Sequence, residues 1–474
     1  MVNVSENCYI FSISIKKHPV SRAACSHHSG NVLNVALHSQ RDAQQEYPMH
    51  DIHTRLICLL LVFAWPVACG SSTTNPLTQP GLDEVRPTTT IRPTNNATQV
   101  SPIPTDTIGT AAPQARFLRT SALQFGVVAH LYYTDRSRVL MLTNIAGFDW
   151  VRQQVHWKDI EAAPGVYYWD ELDHIVADVA ASDIQLLINI VQSPPFYAPG
   201  NGGKPHDPVV MGNFVAAMLE RYGDRIAAVE IWNEPNLAVE NGGRVTPEDP
   251  GRYVELLAEC YRRIKAINPN VYVLAAAPAS TGVFDPNRAV PDIDYLRAMY
   301  TYKDRMIRDY FDAQAVHPGG AANSPDWLYP DLPGDRPGWN DHPTHYFRHV
   351  ENVRALMIAH GLGDRQIWIT EYGWATPNNT PGFEFGNLLT FEDQADYIVR
   401  AITRVHEQYR DEQGRPWVGA MFLWNMNFAV LWGAQGNPQH EQASFSILNP
   451  DWSPRPAFLA LQGLHQRLKA DRQR

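Results

Sequence analysis

Residues 116–474 predict a (β/α)8 barrel, an α/β fold of eight parallel strands wrapped by helices. Two observations carry this. Short apolar stretches alternate with amphipathic helical ones along the whole region, as a parallel sheet covered by helices requires. No glycine-rich dinucleotide fingerprint follows any apolar stretch, which disfavours an open doubly wound sheet. The segment GNGGK (200–204) follows a proline loop rather than a strand and reads as a surface turn.

The elements follow in order. ALQFGVVA (122–129) and residues 149–155 are strand-like. WDELDHIVADVA (169–180) is helical, with Leu172, Ile175, Val176 and Val179 on one face. IQLLINIV (184–191) is the third strand, and a helix lies near 208–222. AAVEI (227–231) reads as a buried fourth strand. GRYVELLAECYRRIKAI (251–267) is helical, its stripe running through Tyr253, Leu256, Leu257, Cys260, Ile264 and Ile267. VYVLAAA (271–277) is a strand and 292–310 a helix. AQAV (313–316), a helix near 346–360, QIWIT (366–370) and a helix near 391–409 come next. GAMFLW (419–424) and a helix near 457–469 complete the series, eight strands with seven helices read between and after them, and eight strand–helix units are expected.

The front of the chain is of another kind. Residues 1–48 show no clear pattern, and Met49 stands at a natural distance before the apolar run Leu56–Ala68, so translation is expected to start there. That run is too short for a membrane span and suits a signal peptide over 49–70. Cys69, followed by Gly70, Ser71 and Ser72, resembles a bacterial lipoprotein cleavage site, although Pro66 stands where that pattern usually has Leu. A plain secretory signal is the alternative. Residues 71–115 are rich in Thr, Pro, Asn and Ser and read as an extended tether. The barrel is therefore expected outside the cell, secreted or held to the membrane by a lipid on Cys69.

Composition narrows the partners. The formal net charge is -10 with no long basic run, which argues against nucleic acid. Thirteen tryptophans suit a sugar-binding cleft but equally a large core. Four of the five cysteines precede the barrel, so Cys260 has no disulfide partner there and reads as a small core residue. No zinc-type spacing, calcium-loop spacing or cofactor motif occurs, and no metal or cofactor is expected.

In a barrel, functional residues stand just past the C-terminal ends of the strands. The fourth strand ends on Asn233 and Glu234, the seventh on Glu371, Tyr372, Gly373 and Trp374, and the eighth on Trp424. The second strand carries Arg152, His156 and Trp157, and His317 follows the sixth. A glutamate at the end of an apolar strand is expelled from the core unless it faces a polar cleft. One alone could be a solvated rim residue. Two on opposing strands, with polar and aromatic companions, favour a cleft. Two carboxyls across a barrel mouth suit glycoside hydrolysis, one attacking the sugar and the other protonating the leaving oxygen. Their protonation must differ, and Arg152 is a candidate donor to hold Glu371 ionised.

WNEPN (232–236) and WITEYGW (368–374), with VHWKDIEAAPGVYYWDELDHIV (155–176), resemble the retaining glycoside hydrolases of clan A, in their cellulase-like and xylosidase-like branches. The resemblance covers about 120–465. It implies that Glu234 is the acid/base and Glu371 the nucleophile. It implies that Asn233 bonds the sugar 2-hydroxyl, that Arg152 orients Glu371 and that Trp424 is the sugar platform. Trp157, Trp374 and His130 are candidates for the cleft wall, or packing residues. The implied substrate is a β-linked polysaccharide or oligosaccharide.

One departure stands out. Clan A commonly has a tyrosine within two residues of the sixth-strand histidine, donating to the nucleophile. Here Pro318, Gly319 and Gly320 follow His317. Tyr329 and Tyr372 are candidate substitutes, and His317 is a cleft residue or a satisfied core histidine. Trp327, Tyr329, Trp339 and Trp432, on long loops after the strands, are sugar platforms or local loop cores. The leading reading is a retaining glycosidase. A carbohydrate-binding surface lipoprotein on a decayed barrel is the alternative. A metal-dependent hydrolase would need a cluster such as His-x-His at a strand end, and none appears.

Overall fold

The computed structural model describes residues 117–198, 202–330 and 339–472. Residues 1–48, the signal segment 49–70 with Cys69, and the tether 71–115 lie outside the described residues. In chain order the strands are β1 (Gln124–Val128), β2 (Trp150–His156), β3 (Glu161–Ala163), β4 (Val166–Tyr167), β5 (Gln185–Val191), β6 (Ala228–Ile231), β7 (Tyr272–Ala275), β8 (Ala313–Val316), β9 (Gln366–Tyr372) and β10 (Val418–Leu423). The helices are α1 (Arg136–Ile145), α2 (Asp170–Ala181), α3 (Pro208–Tyr222), α4 (Asp249–Ile267), α5 (Asp292–Thr301), α6 (His349–Ala359), α7 (Phe391–Gln408), α8 (Phe428–Ala434), α9 (Glu441–Ser444) and α10 (Pro456–Arg472). Eight strands close a parallel barrel in the order β1-β2-β5-β6-β7-β8-β9-β10, with β10 pairing back to β1. β3 and β4 form a separate antiparallel hairpin between β2 and α2.

Two apolar layers hold this together. The larger lies between barrel and helices. On α4 it takes Tyr253, Leu256, Leu257, Cys260 and Ile264, the expected stripe, whereas Ile267 in the last turn is exposed. The smaller fills the barrel itself, with Trp150, Leu187, Ala228, Leu274, Ala313, Trp368 and Phe422 among its members. Trp150 meets Trp368 edge-on at 5.3 Å. Gly126 makes room for Phe422, since a Cβ there would lie 2.3 Å from the ring.

Local chemistry sets the boundaries. Thr390 and Asp393 form a reciprocal capping box that starts α7. Asp207 caps α3 ahead of Pro208, which suits the first helical turn. One expectation needs correction and one helix was missed. The helix expected over 292–310 stops at Thr301, because Lys303, Asp304 and Arg305 take φ of 41, 54 and 68°, which no right-handed helix passes through. The helix α1 has no counterpart in the sequence reading. It buries only Val139, Leu140 and Thr143, too narrow a stripe to stand out, and is started by the Asp135 side chain accepting from the Arg138 N–H at 3.1 Å.

Candidate active site

Strand geometry builds the site layer by layer. Side chains two apart on a strand share a face. Above Trp150, Ala228 and Trp368 of the apolar filling therefore stand Arg152, Glu230 and Thr370. Glu230 accepts from both of the others. Arg152 Nε donates to Glu230 Oε2 at 2.8 Å, and Thr370 Oγ1 donates to Glu230 Oε1 at 3.1 Å. Arg152 and Glu230 are fully buried. Burial opposes the guanidinium charge, but the Glu230 and Glu371 carboxylates outweigh it and hold Arg152 firmly protonated.

Parity alone would turn Glu371 away from Thr370. β9 carries an irregularity here: Met421 pairs with Ile369 but Leu423 with Tyr372, so β9 fits three steps against two of β10. A bulge of this kind re-aims a side chain. Glu371 thereby joins the interior, where its Oε1 accepts from Arg152 Nη1 at 2.6 Å.

Glu234 reaches the same mouth from β6 by a strained turn. Trp232 and Glu234 have φ of 73 and 41°, conformations uncommon for residues with a Cβ. Each is pinned. The Trp232 carbonyl accepts from Asn189 Nδ2 at 2.8 Å, and the Glu234 N–H donates to the Ala277 carbonyl at 3.0 Å. Asn236 clamps the turn to the loop after β7, donating to the carbonyls of Ala279 and Val290, both at 2.9 Å. Asn233 accepts from Arg152 Nη2 at 3.0 Å through its carboxamide oxygen, which leaves its NH2 to donate elsewhere.

His317, 7% exposed, links both halves. Its Nε2 lies 3.0 Å from Thr370 Oγ1 and its Nδ1 3.1 Å from Glu234 Oε1. The Thr370 hydroxyl already donates to Glu230, so it accepts from His317 Nε2–H. Nδ1 then either donates to a Glu234 carboxylate or accepts from a Glu234 carboxylic acid, and one proton is shared across that contact. Burial disfavours charge on His317, but the Glu371 and Glu234 carboxylates outweigh it and raise its pKa above the ordinary imidazole value. Burial likewise raises the Glu371 pKa. The His317 and Arg152 charges pull it down, and the Glu234 and Glu230 carboxylates push it up again.

One oxygen of Glu234, one oxygen of Glu371 and a His317 ring nitrogen lie within 4.8 Å of one another. Among the described residues this is the one group of three side chains spaced to share a metal ion. The Arg152 guanidinium already neutralises Glu371 there, and its fixed charge repels a second cation.

The structure thus gathers Glu234, Glu371, Asn233, Arg152 and His317. Trp424 is half-buried at the end of β10, its backbone N–H donating to the Tyr372 carbonyl at 2.8 Å and its ring 4.9 Å from Phe428. His130 is also half-buried, its backbone N–H bonded to Asn427 Oδ1 at 2.9 Å and its ring edge-on to Phe428 at 6.1 Å. Burial lowers its pKa to about 4. Trp157 and Trp374 are not cleft walls. Trp157 is stacked between Tyr197 and Phe214 and bonded to Glu161, and Trp374 donates to the Asn323 carbonyl inside the core. Tyr372 and Tyr329 do not replace the missing tyrosine: Tyr372 is buried against Phe347 and Tyr329 packs on Tyr346. Among the described residues, the groups beside Glu371 are Arg152 and, at 3.9 Å, His317. Trp339 packs on Phe385, and Trp432 stacks on His440, as local loop cores do.

No family model matches the chain, and no curated protein does. Solved structures do. One is a family 39 glycoside hydrolase from the gut symbiont Bacteroides cellulosilyticus, 22% identical with a TM-score of 0.53. That match covers 74% of this chain and 64% of the other, so the chain spans less than two thirds of that protein. A GH5_18 structure from Streptomyces cattleya, in complex with GlcNAc, is 15% identical with a TM-score of 0.52, covering 74% of this chain and 81% of that one. A glucosidase from Croceicoccus marinus is 14% identical with a TM-score of 0.50, covering 74% and 69%. This chain has the fold of these glycosidase structures. At such identities the likeness speaks for the barrel, and the chemistry must be argued from the side chains.

Proposed function

We propose that the chain is a retaining glycosidase that cleaves β-glycosidic bonds in a polysaccharide or oligosaccharide by double displacement. The observation that carries this is the approach of the Glu234 and Glu371 oxygens to within 4.8 Å, a spacing that leaves no room for a water between carboxylate and sugar. Glu371 attacks the anomeric carbon while Glu234 gives its proton to the departing oxygen. A glycosyl ester on Glu371 results. Glu234, now a carboxylate, takes a proton from water, whose oxygen attacks the same carbon and frees Glu371. Arg152 keeps one oxygen of Glu371 in place at 2.6 Å. The free amide of Asn233 donates to the sugar hydroxyl next to the reacting carbon, and Trp424 is the platform beneath the ring. His317, 3.1 Å from Glu234, shares the proton that Glu234 gives and regains.

Two inversions at one carbon preserve its configuration. Proton NMR of the first-formed sugar is expected to show the β-anomer before mutarotation, and an α-anomer would end the assignment.

We also propose that the barrel works outside the cytoplasm. The apolar run 56–68, Cys69 and the Thr/Pro-rich tether 71–115 support this. In bacterial cells, labelled palmitate is expected to enter the wild-type chain and not Cys69→Ala. Label in both would remove the lipid anchor on Cys69.

A further inference from the structure

The loop after β6 carries a second carboxyl that the scheme above does not use. Beyond Glu234 the chain coils tightly, with Leu237 N–H bonded to the Glu234 carbonyl at 3.0 Å and Asn241 N–H to that of Leu237 at 2.9 Å. The Glu240 carbonyl accepts from Trp232 Nε1 at 3.0 Å, and Ala238 N–H donates to the Arg288 carbonyl of the next loop at 2.8 Å. On the other side, Gly203 lets the loop after β5 touch this coil, since a Cβ there would lie 2.4 Å from the Asn241 carbonyl oxygen. Lys204 from that loop bonds Asn241. The backbone of Glu240 is therefore held from three sides.

Its side chain is not. Glu240 is 7% exposed, and among the described residues its carboxyl has no hydrogen-bond or ion-pair partner. Its oxygens are not among the fully buried side-chain atoms that lack a partner, so they reach solvent and are open to a ligand. Burial, then the like charges of Glu234 and Glu371, push its pKa up to about 8, against the opposing charges of Lys204 and Arg152. At neutral pH it therefore holds a proton and offers one donor and an acceptor, the complement of a sugar hydroxyl.

We propose that Glu240 is a specificity-determining residue that bonds a hydroxyl of the sugar on the leaving-group side of the scissile bond. This rests on Glu234 and Glu371 being the catalytic pair. Glu234 must face the departing oxygen, and Glu240 lies on the same tight coil, which the Leu237–Glu234 and Asn241–Leu237 backbone bonds close up behind it. In this proposal the sugar beyond that oxygen lies along the coil that carries Glu240.

The test uses the full chain, Glu240→Met and Glu240→Gln, with an aryl β-glycoside and a β-linked oligosaccharide of the same non-reducing sugar. Loss of one hydrogen bond should lower kcat/KM on the oligosaccharide roughly 10-fold or more in Glu240→Met. The aryl glycoside, which lacks a leaving sugar, should change less than about 3-fold. Glu240→Gln, which still donates and accepts, should recover most of the loss. The thermal midpoint should hold in Glu240→Met, because the carboxyl makes no hydrogen bond within the described chain for the substitution to break. Equal losses on both substrates, or none, overturn the proposal. If Glu240→Met does not fold, Glu240→Ala carries the same comparison, and failure of both to fold makes Glu240 a structural residue and overturns it too. A wild-type chain that cleaves neither substrate removes the glycosidase reading itself, a separate result from wild-type turnover without selective loss.

Discussion

Glu371→Gln is expected to lower turnover of an activated aryl β-glycoside by at least about 10⁴-fold, without added metal and with little change in thermal midpoint. The carboxamide keeps the shape of the side chain, so the bulge in β9 and the packing of Tyr372 stay as they are. It cannot form the ester. An unactivated leaving group would fare no better, because both steps pass through that oxygen. The mutation also leaves Arg152, fully buried, with one carboxylate fewer, and part of any stability loss comes from there. The pH profile gives a second readout. Glu371 must be ionised to attack, and burial raises its pKa above the ordinary glutamate value of about 4.3. As pH falls through that raised pKa the carboxyl gains a proton and kcat/KM drops. The acid limb should therefore lie higher than an ordinary glutamate would set it. A profile flat down to about pH 4, or full activity in Glu371→Gln, would show that this carboxylate does not do the chemistry. Binding of oligosaccharide with no turnover in the wild type would favour the decayed-barrel alternative instead.

Much of this barrel was legible because its strands are apolar on both faces and its helices on one. α4 and α7 could be read from spacing alone. α1 could not, since three buried positions in ten residues leave almost no stripe. The two glutamates stood out because they end apolar strands. Glu230 escaped notice although it sits inside one, in AAVEI. A charge there signals a buried partner, and Arg152, equally misplaced in WVRQQVH, is that partner at 2.8 Å. Read together, the two would have located the polar layer between barrel filling and cleft. The bulge that turns Glu371 inward depends on register against β10, which no single strand reveals. Trp157 and Trp374 stayed open between cleft and core for a related reason. Tryptophan serves clefts and cores alike, and only packing distinguishes them.

Glu234→Ala should divide substrates by leaving group. For a β-linked oligosaccharide the departing alkoxide is a strong base and needs a proton, so kcat/KM should fall about 10²- to 10⁴-fold. For a dinitrophenyl glycoside the departing phenolate needs none, and glycosylation of Glu371 should proceed almost unhindered. The second step then stalls, because no base draws the proton from water. A burst of dinitrophenolate should precede a slow steady state, with kcat and KM falling together. Azide, a nucleophile that needs no base, should restore turnover and yield a β-glycosyl azide. In the wild type, His317 lies 3.1 Å from Glu234 but 3.9 Å from Glu371, which sets it beside the proton donor and within reach of both carboxylates. If His317 were itself the acid, Glu234→Ala would slow both leaving groups alike, with no burst and no rescue. That pattern would transfer the acid/base role from the end of β6 to the end of β8, while leaving Glu371 in its place.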